Sequence, residues 1–311
     1  MQSTFDVVTL FLLLDIADAG SLTSGAEAAN MTPSAASQRI SKLENSIGQP
    51  VLVRLPRGVK LTEAGEVLTD RARLFRREMR AARGDLEALS GLERGSVRLG
   101  SFPTVSATLL SDALKDCHAR WPGIEVRARS AVRPELLEML HSSEIELALL
   151  WSYDWTESAD QSLTLHPLME DPTLLLAPTE SALAVDSVSI SSLRGARWIV
   201  RSADHPAADV LYRSCKEAGF VPEVVYEAHD YREIEAMVAA GVGIAMVPRL
   251  AVAHHRPDVS AVEFRAEDAV PTRSIYIATL ARRKFTPSMH AITRALRDAA
   301  SRYASRAITH T

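Results

Sequence analysis

From Thr62 onward, Leu68, Ala72, Phe75, Met79, Ala82, Leu86 and Leu89 follow one another at alternating spacings of 4 and 3 residues. This is a heptad seam, not the 3.6-residue stripe of a helix lying on a globule. The remaining positions carry Arg71, Arg73, Arg76, Arg77, Arg80 and Arg83, which suits solvent or a polyanion rather than a protein core. A helix of about thirty residues with such a seam requires a partner helix. A hairpin within the chain is one solution, yet no seam of equal length follows before Gly91. The pattern therefore predicts a homodimer joined through these seven residues.

The segment ahead of the seam reads as a small helical module. Apolar residues at Val7, Val8, Leu10, Phe11, Leu14 and Ile16 recur at near-helical spacing and stop at Asp18-Ala-Gly20, with Gly20 suited to a helix C-cap. A second helix starts near Ser21 to Thr23, its Ala26, Ala28 and Ala29 small enough for close approach of another helix. Thr32 then caps a third helix, with Pro33 at the first helical position. Two helices joined by about three residues read as a helix-turn-helix.

On that third helix Ala36, Ile40, Leu43 and Ile47 should face the core, leaving Ser34, Gln38, Ser41 and Asn45 outward, with Ser37, Arg39 and Lys42 at the margins. Such side chains suit a DNA groove: Gln pairs with an adenine edge, Arg with guanine, Ser with bases or phosphates. A solvated polar face would look the same, so the next segment matters. "VLVRLPRGVKLT" reads as two short strands around a Pro56-Arg57-Gly58 turn, a hairpin with Arg54, Arg57 and Lys60 at or near its tip. A basic hairpin beside a groove-reading helix is placed to anchor the phosphate backbone. Thr32, Ser34, Ser37, Gln38, Arg39, Ser41, Lys42, Arg54 and Arg57 are the candidate DNA-binding residues.

Charge agrees with that division. The chain has a formal net charge of −4, yet the stretch from Gln38 to Arg83 holds eleven Lys and Arg against five Asp and Glu. One module is basic while the rest is acidic, as expected when only one meets phosphates.

The combination "FLLLDIADAGSLTSGAEAANMTPSAASQRISKLENSIGQPVLVRLPRGVKLTEAGEVL" resembles the winged helix-turn-helix of the LysR-type transcriptional regulators. The recognition stretch "SAASQRISKLE" and the "LTEAG" that opens the linker helix occur at the family's separation. Val53 replaces the aromatic usual after the "P-L" of the wing, a departure that concerns wing packing and not the base-reading face.

Beyond Glu93-Arg-Gly95 the pattern alternates: strand 96 to 101, helix about 105 to 119, strand 124 to 129, helix about 133 to 142, strand 146 to 151. This predicts a parallel α/β sheet with right-handed crossovers. "PTLLLAP", "ARWIVRS", a helix from Ala207 to Ala218, "EVVYEA", a helix from Tyr231 to Ala240 and "GIAMVP" make a second α/β lobe. "SIYIATL" and the terminal helix "PSMHAITRALRDAASRY" would return to the first. Two such lobes leave a cleft at the strands' carboxyl ends. The candidate effector-binding residues are Ser101, Phe102 and Thr104 at the end of the first strand, Ser130 and Trp151 at other strand ends, and Ser202, Ala203 and Asp204 on the second lobe. Helix capping alone would also explain Ser101 and Thr104.

The resemblance extends through "RGSVRLGSFPTVSATLLSDAL", "SSEIELALL" and "VAAGVGIAMVP", which sit where such regulators carry an effector domain similar to periplasmic substrate-binding proteins. Glu146 stands where an Asp is usual. The implied fold class is α/β overall: an all-α winged helix-turn-helix (1–61), a long coiled-coil linker helix (62–92) and a two-lobed α/β effector domain (93–311). Lobe I would span about 93–165 and 270–311, and lobe II about 166–269. The resemblance implies a cytoplasmic dimer able to pair into a tetramer, with partners double-stranded DNA, a small-molecule effector and, as a candidate, RNA polymerase. No cofactor is expected.

Enzymatic alternatives find little support. Gly241 and Gly243 form a GxG that follows a helix and precedes a strand, the reverse of the dinucleotide fingerprint. There is no GxSxG, P-loop or HExxH, and His254-His255 lacks a partner pattern. Cys117 and Cys215 lie far apart with no CxxC, so neither a disulfide framework nor a metal site is expected. No apolar run reaches about 18 residues, and Asp6, Asp15 and Asp18 stand where a signal peptide needs a basic flank, which predicts a cytosolic chain outside the membrane. A cytosolic solute-binding protein and an effector-independent DNA binder remain the competing readings.

Overall fold

The computed structural model describes residues 6–56, 58–89, 95–156, 160–202, 205–253, 256–281 and 283–305. Its contacts divide into two units, Met1–Ser90 and Gly91–Thr311.

In the first unit, α1 (Val7–Ala19), α2 (Leu22–Ala28) and α3 (Pro33–Ile47) each begin at a side-chain cap. Asp6 accepts from the Thr9 amide at 2.7 Å, and Thr32 accepts from the Ala35 amide at 3.2 Å, each satisfying an N–H that the first turn leaves unpaired. Gly20 and Gly48 end α1 and α3 in the left-handed region, φ 63° and 76°. Leu12, Leu13, Ile16, Ala26, Ala36, Ile40, Leu43 and Val51 form the core. Gly25 lets α2 lie against α1, since a Cβ there would collide with the backbone of Ile16.

The wing is an antiparallel hairpin of β1 (Leu52–Arg54) and β2 (Val59–Leu61), with Leu52 opposite Leu61. Glu44 of α3 fixes its start by accepting from the Val51 and Leu52 amides at 2.9 and 3.4 Å. Thr62 fixes its end. Its amide donates to the Val51 carbonyl, its hydroxyl donates to the Pro50 carbonyl at 2.7 Å and accepts from the Gly65 amide at 3.1 Å. Gly65 follows because a Cβ there would collide with the Val51 carbonyl oxygen. "LTEAG" is thus the joint between the wing and α4 (Glu63–Leu89).

The first turns of α4 pack within the chain. Ala72 is buried with Leu10 and Leu14, and Leu68 packs against them and against the helix-turn-helix core. Arg76 donates to Asp15 at 2.7 Å and to the Phe11 carbonyl at 3.3 Å, its guanidinium 5.0 Å from the Phe11 ring centre. Arg73 lies 3.6 Å from Asp18. Two of the six arginines expected to face solvent or DNA therefore hold α4 to α1.

The second unit begins with β3 (Gly95–Ser101), α5 (Pro103–Val105), a π-helical turn over Ser106–Leu110, α6 (Ser111–Arg120), β4 (Ile124–Ser130), α7 (Arg133–His141) and β5 (Leu147–Ser152). Next come β6 (Leu163–Asp171), β7 (Thr173–Pro178), β8 (Ser187–Val188), β9 (Arg197–Arg201), α8 (Ala208–Glu217), β10 (Glu223–Ala228) and α9 (Tyr231–Ala239). It closes with β11 (Ile244–Pro248), β12 (Val259–Phe264), β13 (Arg273–Leu280) and α10 (Pro287–Ser305).

These strands form a five-stranded sheet, β4-β3-β5-β13-β6, and a six-stranded one, β10-β9-β11-β7-β12-β8. Neither is wholly parallel as expected. β13 runs antiparallel to β5 and β6, and β7 antiparallel to β11 and β12, because the chain changes lobe twice. The first crossing lies at Pro172, after β6 has joined the first sheet, rather than near residue 166. β6 escaped the sequence reading for a physical reason. It is an edge strand carrying His166 and Pro167, with a register shift where Pro167 meets β13, and a sheet tolerates proline at such an edge.

Both lobes are sheets covered on two faces. In β7, Leu174 and Leu176 face the α9 side while Leu175 and Ala177 face the α8 side, which explains the unbroken apolar run. In the first lobe, Val97, Leu99, Leu149, Ile275 and Ile277 pack with Met289, Ile292 and Leu296 of α10, and Leu136 and Leu140 of α7 cover the other face.

Candidate functional site

On α3, Ala36, Ile40 and Leu43 are buried while Ser34, Gln38, Ser41 and Lys42 are exposed and Ser37 and Arg39 half-buried. Thr32 is spent on the helix cap but stays at the surface. Arg39 Nη1 donates to Asp6 Oδ2 at 3.5 Å and to Thr9 Oγ1 at 3.4 Å. Asp6, Thr9, Gln38, Arg39 and Lys42 line a surface hollow of about 430 Å³. The Thr9 amide, with a smaller contribution from Arg39, holds the Asp6 carboxyl below the usual carboxylate range, so it is ionised at neutral pH. Lys60 is exposed on β2. Arg57 lies outside the described residues, and only the backbone of Arg54 is described.

The seam divides in two. Ala72 is fully buried against α1 of the same chain and cannot also be a knob for a partner, which corrects its assignment to a dimer surface, whereas Leu68 packs partly against α1 and stays half-buried. Phe75, Met79, Ala82 and Leu86 are exposed, Met79 by 63% and Leu86 by 67%. Of Leu89 only the backbone is described.

Between the lobes, the strands' carboxyl ends gather a polar and aromatic cluster. Arg273 opens β13 and Asp171 closes β6. Their side chains pair at 2.6 and 2.7 Å in nearly complete burial, and the second Asp171 oxygen accepts from the Leu250 amide at 3.0 Å. Arg273 Nη2 also donates to Thr104 Oγ1 at 3.5 Å, and the guanidinium lies 5.4 Å from the Phe102 ring centre and 5.9 Å from that of Trp151. Trp151 of β5 stacks on His205 of the other lobe, ring centres 5.9 Å apart. Arg201, at the end of β9, lies 5.0 Å from the ring centre of Tyr231, which opens α9. The buried Tyr231 hydroxyl has no hydrogen-bond partner among the described residues.

Electrostatics follow from this packing. Burial, then the charges of Arg201 and Arg273, depress the His205 imidazole to about 4, so it is neutral at physiological pH. Burial raises the Tyr153 phenol, which Arg273 partly opposes.

Of the effector residues expected from sequence, Thr104, Trp151 and Ser202 are half-buried at this cluster or the strand end beside it. Ser101 and Phe102 are not offered to a ligand. Ser101 is fully buried, its hydroxyl turned back to the Phe102 carbonyl at 3.4 Å, and Phe102 belongs to the lobe core. Ser130 pairs in register with Ser101 and is exposed on the edge strand β4. Ala203 and Asp204 lie outside the described residues. Sequence reasoning missed Arg201, Tyr231, Asp171, His205 and Arg273. The strand-end rule that found Thr104 could have found Arg201 and Tyr231, whereas Asp171 closes β6, the strand that escaped the sequence reading. Arg273 escapes it, because it reaches the same edge from the amino end of an antiparallel strand.

Residues 8–66 match the family described as bacterial regulatory helix-turn-helix protein, lysR family, and residues 90–301 match the LysR substrate binding domain. The chain belongs to the LysR family. OxyR of Escherichia coli strain K12, a DNA-binding transcriptional dual regulator, is 27% identical over 264 residues, 85% of each chain. Full-length OxyR from Pseudomonas aeruginosa superposes with a TM-score of 0.72 at 21% identity, over 95% of this chain and 94% of that one. The LysR family regulator CbnR, solved in complex with its target DNA, gives a TM-score of 0.56 at 20% identity, over 95% of this chain and all of that one. This LysR-type transcriptional regulator thus joins a DNA-binding helix-turn-helix to a two-lobed α/β effector-binding domain. Among the described residues no helix is long and apolar enough to cross a membrane, and no three His, Cys, Asp or Glu gather to hold a metal.

Proposed function

We propose that this regulator works as a cytoplasmic homodimer that places two copies of α3 in successive major grooves of an imperfect inverted repeat. A small ligand in the interlobe cleft would bias the arrangement of the dimer, and with it the spacing or bend of the DNA. The observation that carries the reading is the two-sided α3: Ala36, Ile40 and Leu43 are committed to the core, so Ser34, Gln38, Ser41 and Lys42 share one exposed face. Thr32, Ser37 and Arg39 flank that face, and Arg54 and Arg57 would meet the phosphates. The exposed Phe75, Met79, Ala82 and Leu86, continued by Leu89, supply a dimer seam, with half-sites about one helical turn or a multiple apart. Tetramers and contact with RNA polymerase are compatible extensions.

For the cleft, Thr104, Trp151 and Ser202 together with Arg201 and Tyr231 favour a small ligand carrying an anionic group. Arg201 meets no carboxylate among the described residues, and the unpartnered Tyr231 hydroxyl beside it is a second donor. Coupling requires that the ligand bind one arrangement of the dimer more tightly than the other.

Peroxide sensing, suggested by curated relatives named hydrogen peroxide-inducible genes activator, is not supported by thiol chemistry here. A sensor cysteine is an accessible thiolate. Cys117 and Cys215 are buried in different lobes, and burial raises both, Cys215 to about 11.

The test is fluorescence anisotropy of the full-length protein on duplex DNA from immediately upstream of its own gene, against a scrambled duplex of equal composition at physiological salt. A preference of about 1,000-fold or more is expected. Equal, weak binding to both would count against a specific regulator of that promoter.

A further inference from the structure

Asp6 does two jobs at the edge of the base-reading face. One carboxylate oxygen caps α1 through the Thr9 amide at 2.7 Å, and the other lies 3.5 Å from Arg39 Nη1. The Thr9 hydroxyl, on a buried residue, accepts from the same Nη1 at 3.4 Å. The cap and a buried residue of α1 thus both approach one nitrogen of a long side chain on α3, at the outer limit of hydrogen-bond distance. Among the described residues Nε and Nη2 of Arg39 have no protein partner.

Guanine is read by two parallel N–H donors of one guanidinium, a geometry that depends on how the plane is held. A free arginine must be ordered as it binds, whereas one already held on a single nitrogen loses less freedom per bond formed. We infer that Asp6 and Thr9 are positioning residues for Arg39: they fix its guanidinium beside Gln38 and Lys42 and leave the remaining donors for a base edge. In the free protein the Asp6–Arg39 pair is half exposed and weak. When DNA covers it, water leaves and the same charges interact more strongly. Specificity would then rest partly on a side chain of α1, outside the recognition helix. The inference rests on the reading of α3 as the groove helix.

The experiment selects an operator in vitro with the full-length protein, then measures affinity for it and for every single-base-pair substitution with wild type, Arg39→Ala, Asp6→Asn and Thr9→Val. Asparagine remains a good N-cap and valine keeps the branched shape, so α1 should stay folded, which its thermal midpoint checks. Arg39→Ala should erase discrimination at one guanine-containing base pair. Asp6→Asn should weaken discrimination at that same pair by about 3- to 10-fold, Thr9→Val by a smaller factor, without lowering affinity for scrambled DNA. If Asp6→Asn raises affinity for all sequences alike, the carboxylate only repels phosphates and the inference fails. If Arg39→Ala matters at one base pair and Asp6→Asn leaves it intact, the positioning role alone is overturned. If Arg39→Ala changes no base preference, the groove reading of Arg39 falls, and this inference with it.

Discussion

Arg273 and Asp171 face each other in register where β13 begins and β6 ends, so one buried ion pair closes over both passages of the chain between its lobes. Removing one partner leaves the other charge buried without compensation. Asp171→Ala should cost about 3–5 kcal/mol, read as a lower urea midpoint. The double variant Asp171→Leu with Arg273→Met should recover much of that loss. A single variant as stable as wild type would show the pair to be dispensable.

Gln38 stands on the exposed side of α3, and in the proposed complex its amide would pair with an adenine edge. Gln38→Ala should relax preference at one base pair by about 1–3 kcal/mol. Loss of Arg54 or Arg57, by contrast, should weaken binding to all sequences and flatten the salt slope by about one unit per phosphate contact. Unchanged discrimination, or an unchanged slope, removes the residue concerned from the interface.

Phe75 and Met79 are the first seam residues left uncovered by α1. Phe75→Asp should convert a dimer into monomers and abolish tight operator binding. Sedimentation equilibrium decides it: a wild-type mass for the variant excludes this part of α4 from the interface.

His205 titrates at about 4 in the native state but near 6.5 when unfolded. The unfolded chain therefore binds the proton first as pH falls, and native stability drops between pH 6.5 and 4. Partial exposure limits the loss to the order of 2 kcal/mol. His205→Asn should flatten the stability profile in that window, while an unaltered profile would locate the titration elsewhere.

Cys117 and Cys215 should resist peroxide. Stoichiometric hydrogen peroxide should leave DNA affinity unchanged and both thiols titratable after denaturation. Rapid loss of either thiol in the native protein would reopen a redox role.

Local chemistry was legible in the chain itself. Thr32 and Pro33 begin α3, Ala36, Ile40 and Leu43 mark its inner face, and Gly20 ends α1, because caps, periodicity and left-handed turns act within a few residues. The alternating pattern also located most elements of both lobes. Contacts decided at long range were not legible. Leu68 and Ala72 belong to the same heptads as Phe75, yet those two pack against α1 while Phe75 stays exposed. Ser101 ends a strand where a ligand hydroxyl is expected, but the sheet buries it, whereas nothing in the local sequence marks Arg273. Spacing along a chain specifies which face of a helix or strand a side chain occupies. Which of those faces meet, and whether a strand runs with or against its neighbour, depends on residues about a hundred positions away, and only the tertiary structure settled it.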